Sequence, residues 1–282
     1  MDIAYLSLFI FILITYVYYA FPAIGKINMT LEALTSSNVQ PIIKSNYSRL
    51  GIYLLFILVS QFGLNCVFLI NKCGGSAGQN IGHAFFITFF PWVFIFGIVI
   101  VMLLMYPNFK SAFSDVVGYF AIAGKANELL TSILIDVDVE DNIDKAGISE
   151  GDKMTMKKAA DAILKLCGNK SIIINKMNTF NFLEIWNMLK PLMKDKGNIP
   201  DINTIQNDLY NLVVLKDNIG ESIWYIYTAI LITSIISYNL ATQTCKKSVD
   251  QLKADHDKYL EDEQKIIDQQ NLNNSTPYVI SG

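Results

Sequence analysis

The sequence predicts an all-α integral membrane protein, with four transmembrane helices and a small, mainly helical aqueous module between spans three and four. Three observations lead there. Four long runs lack Asp, Glu, Lys and Arg, charged residues make up 17% of the 282 positions, and the 107–221 insert repeats its apolar residues at helical spacing. That charge content lies below the roughly 25% usual for soluble domains, and the mean hydropathy of +0.35 points the same way.

No charge interrupts the chain between Asp2 and Lys26. A hydrocarbon core about 30 Å thick takes about 20 residues at 1.5 Å rise, so a span is expected near 3–24. A cleaved signal peptide is not expected, because no basic residue precedes the run and the run is too long. Loop 25–49 follows, then a span near 51–71. Cys73, Gly74 and Gly75 read as a turn into a third span near 84–106, where Phe85 to Met105 is apolar on every face. The fourth span is expected near 222–242.

The chain therefore divides into a membrane domain over 1–106, a helical aqueous module over 107–221, the fourth span, and a polar helical tail over 243–282 ending in an extended segment. Four spans place both termini on one side and the module on the other. Six Lys or Arg flank the spans on each side, so the positive-inside rule gives no bias. The sequons at Asn28, Asn46 and Asn169 oppose those at Asn273 and Asn274.

Within the module, Phe113, Val116, Val117, Phe120, Leu130, Ile133 and Leu134 predict a helix leaving the third span near the membrane interface. An acidic loop covers 136–152, and helices fit 155–167 and 182–194, with Asn181 and Glu184 at capping-box spacing and Pro191 shortening the second. A last helix starts after Asp201 and heads for the fourth span, with a break expected at Gly220. Trp186 should centre the module's core. In the tail, Val249, Leu252, Tyr259 and Ile266 keep a sparse heptad register that suits a solvated helix or a seam for another subunit.

Spans without internal charge argue against proton-coupled transport and intramembrane hydrolysis. Gln61, Asn65, Thr233 and Asn239 are expected to hydrogen-bond between helices. Two histidines, His83 and His256, are too few for a histidine-based metal site. Cys66, Cys73, Cys167 and Cys245 show neither zinc-site spacing nor a disulfide framework, and Cys66 and Cys245 suit packing or lipidation. The run from Asp136 to Asp144 resembles a calcium loop in its alternating oxygen ligands, but Asp141 stands where the turn glycine is needed and Gly147 where the bidentate glutamate is needed. No phosphate loop, nucleophile elbow or basic patch appears, so neither an enzyme, nor a cofactor, nor a nucleic-acid partner is expected. Tyr16, Tyr18 and Tyr19 in the first span, Trp92 in the third, and Trp224 with Tyr225 at the fourth read as membrane-interface anchors.

Two stretches carry a resemblance. Phe90-Pro91-Trp92 leads to a turn with Pro107, Phe113, Ser114, Gly118 and Tyr119, and a second stretch runs from Lys216 through Trp224 and Tyr225 to Tyr238 and Asn239. Both are similar to segments of a transmembrane minor capsid protein family of large icosahedral nucleocytoplasmic DNA viruses. The resemblance implies a multi-pass virion protein in the internal membrane beneath the capsid, derived from a host membrane, without catalytic residues. Its implied partners are the lipid bilayer, other capsid or minor capsid proteins, and further copies of itself. Two other functions fit the spans: an oligomeric channel or small-solute transporter lined by Asn65 and Asn239, and a viral fusion component.

Overall fold

The structure is a computed structural model describing residues 3–36, 39–73, 77–134, 169–194, 201–245 and 249–274. Among these residues it is helical, and the pairing of Leu134 with Met193 is an isolated bridge. Four helices are long and apolar enough to cross a membrane: Ile3–Ala20, Gln40–Cys73, Ile81–Met105 and Ile202–Thr242. The expected spans near 3–24, 51–71, 84–106 and 222–242 fall on these four. The second and fourth helices run further, beginning at Gln40 and Ile202, whereas the first ends at Ala20, short of the expected 24.

The apolar bundle packs an aromatic interior. Phe11 stacks on Trp92 at 5.3 Å between ring centroids, Trp92 meets Phe96 edge-on at 5.5 Å, and Phe96 lies 5.1 Å from Tyr225. Offset and edge-on contacts of this kind suit the ring quadrupole. Pro91 sets up this geometry. A proline inside a helix lacks an N–H and clashes with the preceding turn, and here the chain widens into a π-helical turn over Pro91–Phe96 that brings Trp92 and Phe96 inward. On the outer faces, Phe9, Leu55, Phe56, Ile98 and Ile235 are exposed.

Polar side chains join the bundle helices as the sequence suggests at two positions. Gln61 Nε2 donates to the Ser7 carbonyl at 3.0 Å while the Ser7 hydroxyl donates back to Gln61, and Asn65 Nδ2 donates to Thr88 Oγ1 at 2.8 Å. Thr233 and Asn239 do otherwise. Their side chains donate to the carbonyls of Ala229 and Ile235 on their own helix, which absorbs their donors without a neighbour.

The module has a separate core in which Phe182, Trp186, Leu189, Tyr210, Leu130 and Ile174 are buried. The helix Tyr119–Ile133 folds onto the first half of Ile202–Thr242, with Ile122, Ala126 and Leu130 inward and Phe120 outward. The 25–49 segment joins this core too, since Met29 is buried in it and Ile42 and Ile43, at the start of the second helix, pack against it. The module is therefore wider than 107–221. Helix Phe182–Leu189 ends in a tight 3-10 turn over Lys190–Leu192 that contains Pro191. Its expected capping box does not form. Asn181 Oδ1 instead accepts from the Asn178 backbone N–H at 2.7 Å, so its oxygen serves the preceding loop.

Two further expectations are corrected. Ile202–Thr242 is one continuous helix of 41 residues through Gly220. At that position a Cβ would stand 2.6 Å from Ser114, and at Gly118 one would stand 2.5 Å from the Lys216 carbonyl, so both glycines serve close helix approach. Cys73 and Cys245 form a disulfide with Cα atoms 5.3 Å apart, closing a separation of 172 residues. Beside it, Lys72 Nζ donates to the carbonyls of Leu240, Ala241 and Gln243, capping the C-terminal end of the fourth helix. The tail forms a 26-residue helix, Val249–Asn274, with Leu252, Tyr259 and Ile266 exposed. The acidic 136–152 loop and the 155–167 helix lie outside the described residues.

Candidate functional site: a buried charged junction

The segment from Lys216 to Tyr225 is where the apolar bundle meets the module, and five side chains there, Lys216, Asp217, Asn218, Glu221 and Trp224, bind residues outside their own helix. Lys216, 1% exposed at its side chain, donates from Nζ to Asp115 Oδ1 at 2.8 Å and to the Ile174 carbonyl at 3.2 Å. Asp217 accepts from the Thr179 backbone N–H at 2.8 Å and its hydroxyl at 2.7 Å. Asn218 Nδ2 donates to Asn28 Oδ1 at 2.8 Å. The Trp224 indole N–H donates to the Phe109 carbonyl at 3.0 Å, with the two rings stacked at 4.3 Å.

Glu221 is the centre. Lys26 Nζ lies 3.1 Å from each of its carboxylate oxygens, Lys110 Nζ donates to Oε2, and the Tyr19 hydroxyl donates to Oε1 at 2.9 Å. The carboxylate is buried, with a side chain 6% exposed. A charge taken out of water must be compensated by partners and hydrogen bonds, and this one has both. Burial pushes the Lys26 ammonium below the usual lysine range, and the Glu221 carboxylate opposes that shift. Asn46 fixes the approach of Lys26 by exchanging two hydrogen bonds with the Ile27 backbone, at 2.8 and 2.9 Å.

These contacts border a cavity of about 790 Å³ between bundle and module. Its wall includes Leu50, Leu103 and Leu104 from the apolar helices and Lys26, Lys110, Asn175 and Glu221 from the junction. Among the described residues no group of three or more His, Cys, Asp or Glu is placed to hold a metal ion. The arrangement can hold charge and position helices.

The expected interface anchors distribute differently. Tyr18, Trp92 and Tyr225 are buried within the bundle, Tyr18 stacking on Tyr53 at 4.5 Å, so they pack helix against helix instead of meeting headgroups. Aromatics near the ends of apolar runs carry the same sequence signal in either role. Tyr19 and Trp224 are partly buried and spend their polar tips on Glu221 and Phe109. Tyr16 is exposed.

The two stretches that carry the family resemblance meet in space. Phe113 lies edge-on to Trp224 at 4.8 Å, Ser114 faces Gly220, Gly118 faces Lys216, and Lys110 reaches Glu221. Pro107 opens the tight turn Pro107–Phe109, and Tyr119 packs at the edge of the module core. Tyr238 and Asn239 lie apart from the junction, both exposed on the fourth helix. Sequence reasoning missed Lys26, Asp115, Lys110, Asp217 and Glu221 as a set. One signal was available: Lys26, Lys110 and Glu221 all sit just outside apolar runs on the same side of the bundle. No family model matches the chain, and no curated protein or solved structure matches it either.

Proposed function

We propose that this chain is a structural virion membrane protein, a minor capsid component that anchors an internal lipid membrane to the capsid shell. The four apolar helices cross the bilayer, and the module and C-terminal helix stand outside it to meet capsid or minor capsid proteins. The observation that carries this reading is the unbroken helix Ile202–Thr242. Its 41 residues extend roughly 60 Å, about twice a hydrocarbon core, so one rigid rod belongs to both bilayer and module. The charged junction fixes that rod against the first and third apolar helices. A load applied to the module is thereby passed to the bundle and not to a loop. The resemblance of the 106–119 and 216–239 stretches supplies the virion half of the proposal.

For the alternative of an oligomeric channel, Asn65 is engaged with Thr88 inside the bundle, while Asn239 is exposed and donates to the Ile235 carbonyl of its own helix. Cross-linking mass spectrometry on intact particles tests the anchor. Lys253, Lys258 and Lys265 on the exposed C-terminal helix should link to a shell protein, and links confined to this chain would count against it.

A further inference from the structure

The junction cavity has the two-sided character of an amphiphile's site. Toward its rim stand Tyr47, Leu104, Ile172 and Phe180, all exposed. Inside are Lys26 and Lys110, which together face a single carboxylate, Glu221. Over the whole lining, the four ammonium groups of Lys26, Lys110, Lys176 and Lys216 stand against the three carboxylates of Asp115, Asp217 and Glu221, which leaves one positive charge over. Lys110 donates to Glu221 alone among the described residues, so two of its three N–H groups have no acceptor there. On the same wall, Asn175 Oδ1 is buried without a donor. A buried acceptor left unpaired costs free energy comparable to a lost hydrogen bond.

A group complementary to this wall carries anionic oxygens for the lysines and a donor for Asn175. The cavity lies where the apolar helices give way to the module, which is the depth of a headgroup layer if those helices cross a bilayer. We propose that the cavity binds the headgroup of an anionic phospholipid, with its phosphate against Lys26 and Lys110, a headgroup hydroxyl or amine on Asn175, and its acyl chains leaving along Leu104 and Tyr47. A charge-assisted pair of this kind is shorter and stronger than a neutral hydrogen bond. The inference rests on the cavity and on membrane insertion, and is independent of any contact with a capsid.

The test uses the full chain purified in a neutral detergent, with bound lipid read by native mass spectrometry and folding by thermal midpoint. Both lipids offer the same phosphate, but phosphatidylglycerol adds a hydroxyl that can donate to Asn175 and lacks the choline cation that the surplus lysine charge repels, so it should be retained over phosphatidylcholine by about tenfold, the factor that one hydrogen bond supplies. K110Q should erase the preference. N175D, nearly the same shape but adding a negative charge to the wall, should erase it as well and covers the case in which K110Q fails to fold. E221Q, which removes the competing carboxylate, should retain phosphatidylglycerol more strongly, and its midpoint should recover when that lipid is added. Equal retention of the two lipids would overturn the proposal, as would an unchanged preference in folded K110Q or N175D. Protection by inorganic phosphate equal to that by phosphatidylglycerol would overturn the lipid assignment and leave a free-anion site.

Discussion

Lys26 and Glu221 stand 195 residues apart in the chain, yet Lys26 Nζ sits 3.1 Å from both oxygens of the Glu221 carboxylate. The pair ties the end of the first apolar helix to the middle of the fourth, and Lys110 brings the third to the same carboxylate. Removing one partner of a buried ion pair strands the other's charge and costs about 3–5 kcal/mol. E221Q should accordingly lower the thermal midpoint in neutral detergent by several degrees, and more than K26M does, because it strands two ammonium groups. A double-mutant cycle over K26M and E221Q reads the coupling directly, and strict additivity would show that the pair does not interact.

Gly220 and Gly124 should respond oppositely to alanine. A Cβ at Gly220 would enter the backbone of Ser114, whereas none of the neighbours of Gly124 lies within 4 Å of an added Cβ. Overpacking a close contact costs about 1–3 kcal/mol, and replacing an exposed helical glycine gains about 0.5–1 kcal/mol. G220A is expected to destabilise and G124A to be neutral or stabilising in denaturant titrations followed by tryptophan fluorescence.

The disulfide between Cys73 and Cys245 should appear as a cross-linked peptide in a non-reducing digest. Joining two ends of so long a loop contributes typically about 2–4 kcal/mol. C73S, or reduction of the unaltered chain, should lower the midpoint by similar amounts. C66S should leave it nearly unchanged, since Cys66 is a free thiol.

Asp201 caps the fourth helix, accepting from the backbone N–H groups of Asn203 and Thr204 and from the Thr204 hydroxyl. The Thr204 hydroxyl is the main cause of a carboxyl held below its usual range. A depressed carboxyl binds protons less readily in the folded state, so its stabilisation is present above the ordinary carboxylate range and is lost as pH falls through the folded value. Amide exchange over residues 202–206, after correction for its intrinsic pH dependence, should rise in that acidic window. D201N keeps an oxygen acceptor at the N-cap and should remove the pH dependence.

The four apolar helices were legible because an uncharged run about 20 residues long has few other uses. Gln61 and Asn65 were legible as interhelical donors, and Trp186 as the module's centre, for related reasons: a polar group in an apolar run needs a partner, and a large aromatic needs a core. The junction was not legible. Many of its contacts join residues more than a hundred positions apart, as Lys110 and Glu221 do across 111 and Lys216 and Asp115 across 101. Gly220 misled because a helix-weakening residue in the sequence is a close-contact residue in the fold. Cys73 and Cys245 misled in the same way, since spacing along the chain carries no information about two helix ends brought side by side. Tyr18, Trp92 and Tyr225 were read as facing headgroups, and only packing reveals that they face one another's helices.

Cryo-electron imaging of assembled particles at a resolution that traces helices is the most direct test of the proposed anchor. Ile202–Thr242 is expected as one continuous rod, crossing the internal bilayer with one end and placing the module against the inner face of the shell with the other. A chain lying in bulk lipid with its module clear of the shell, or missing from the particle, would contradict the proposal.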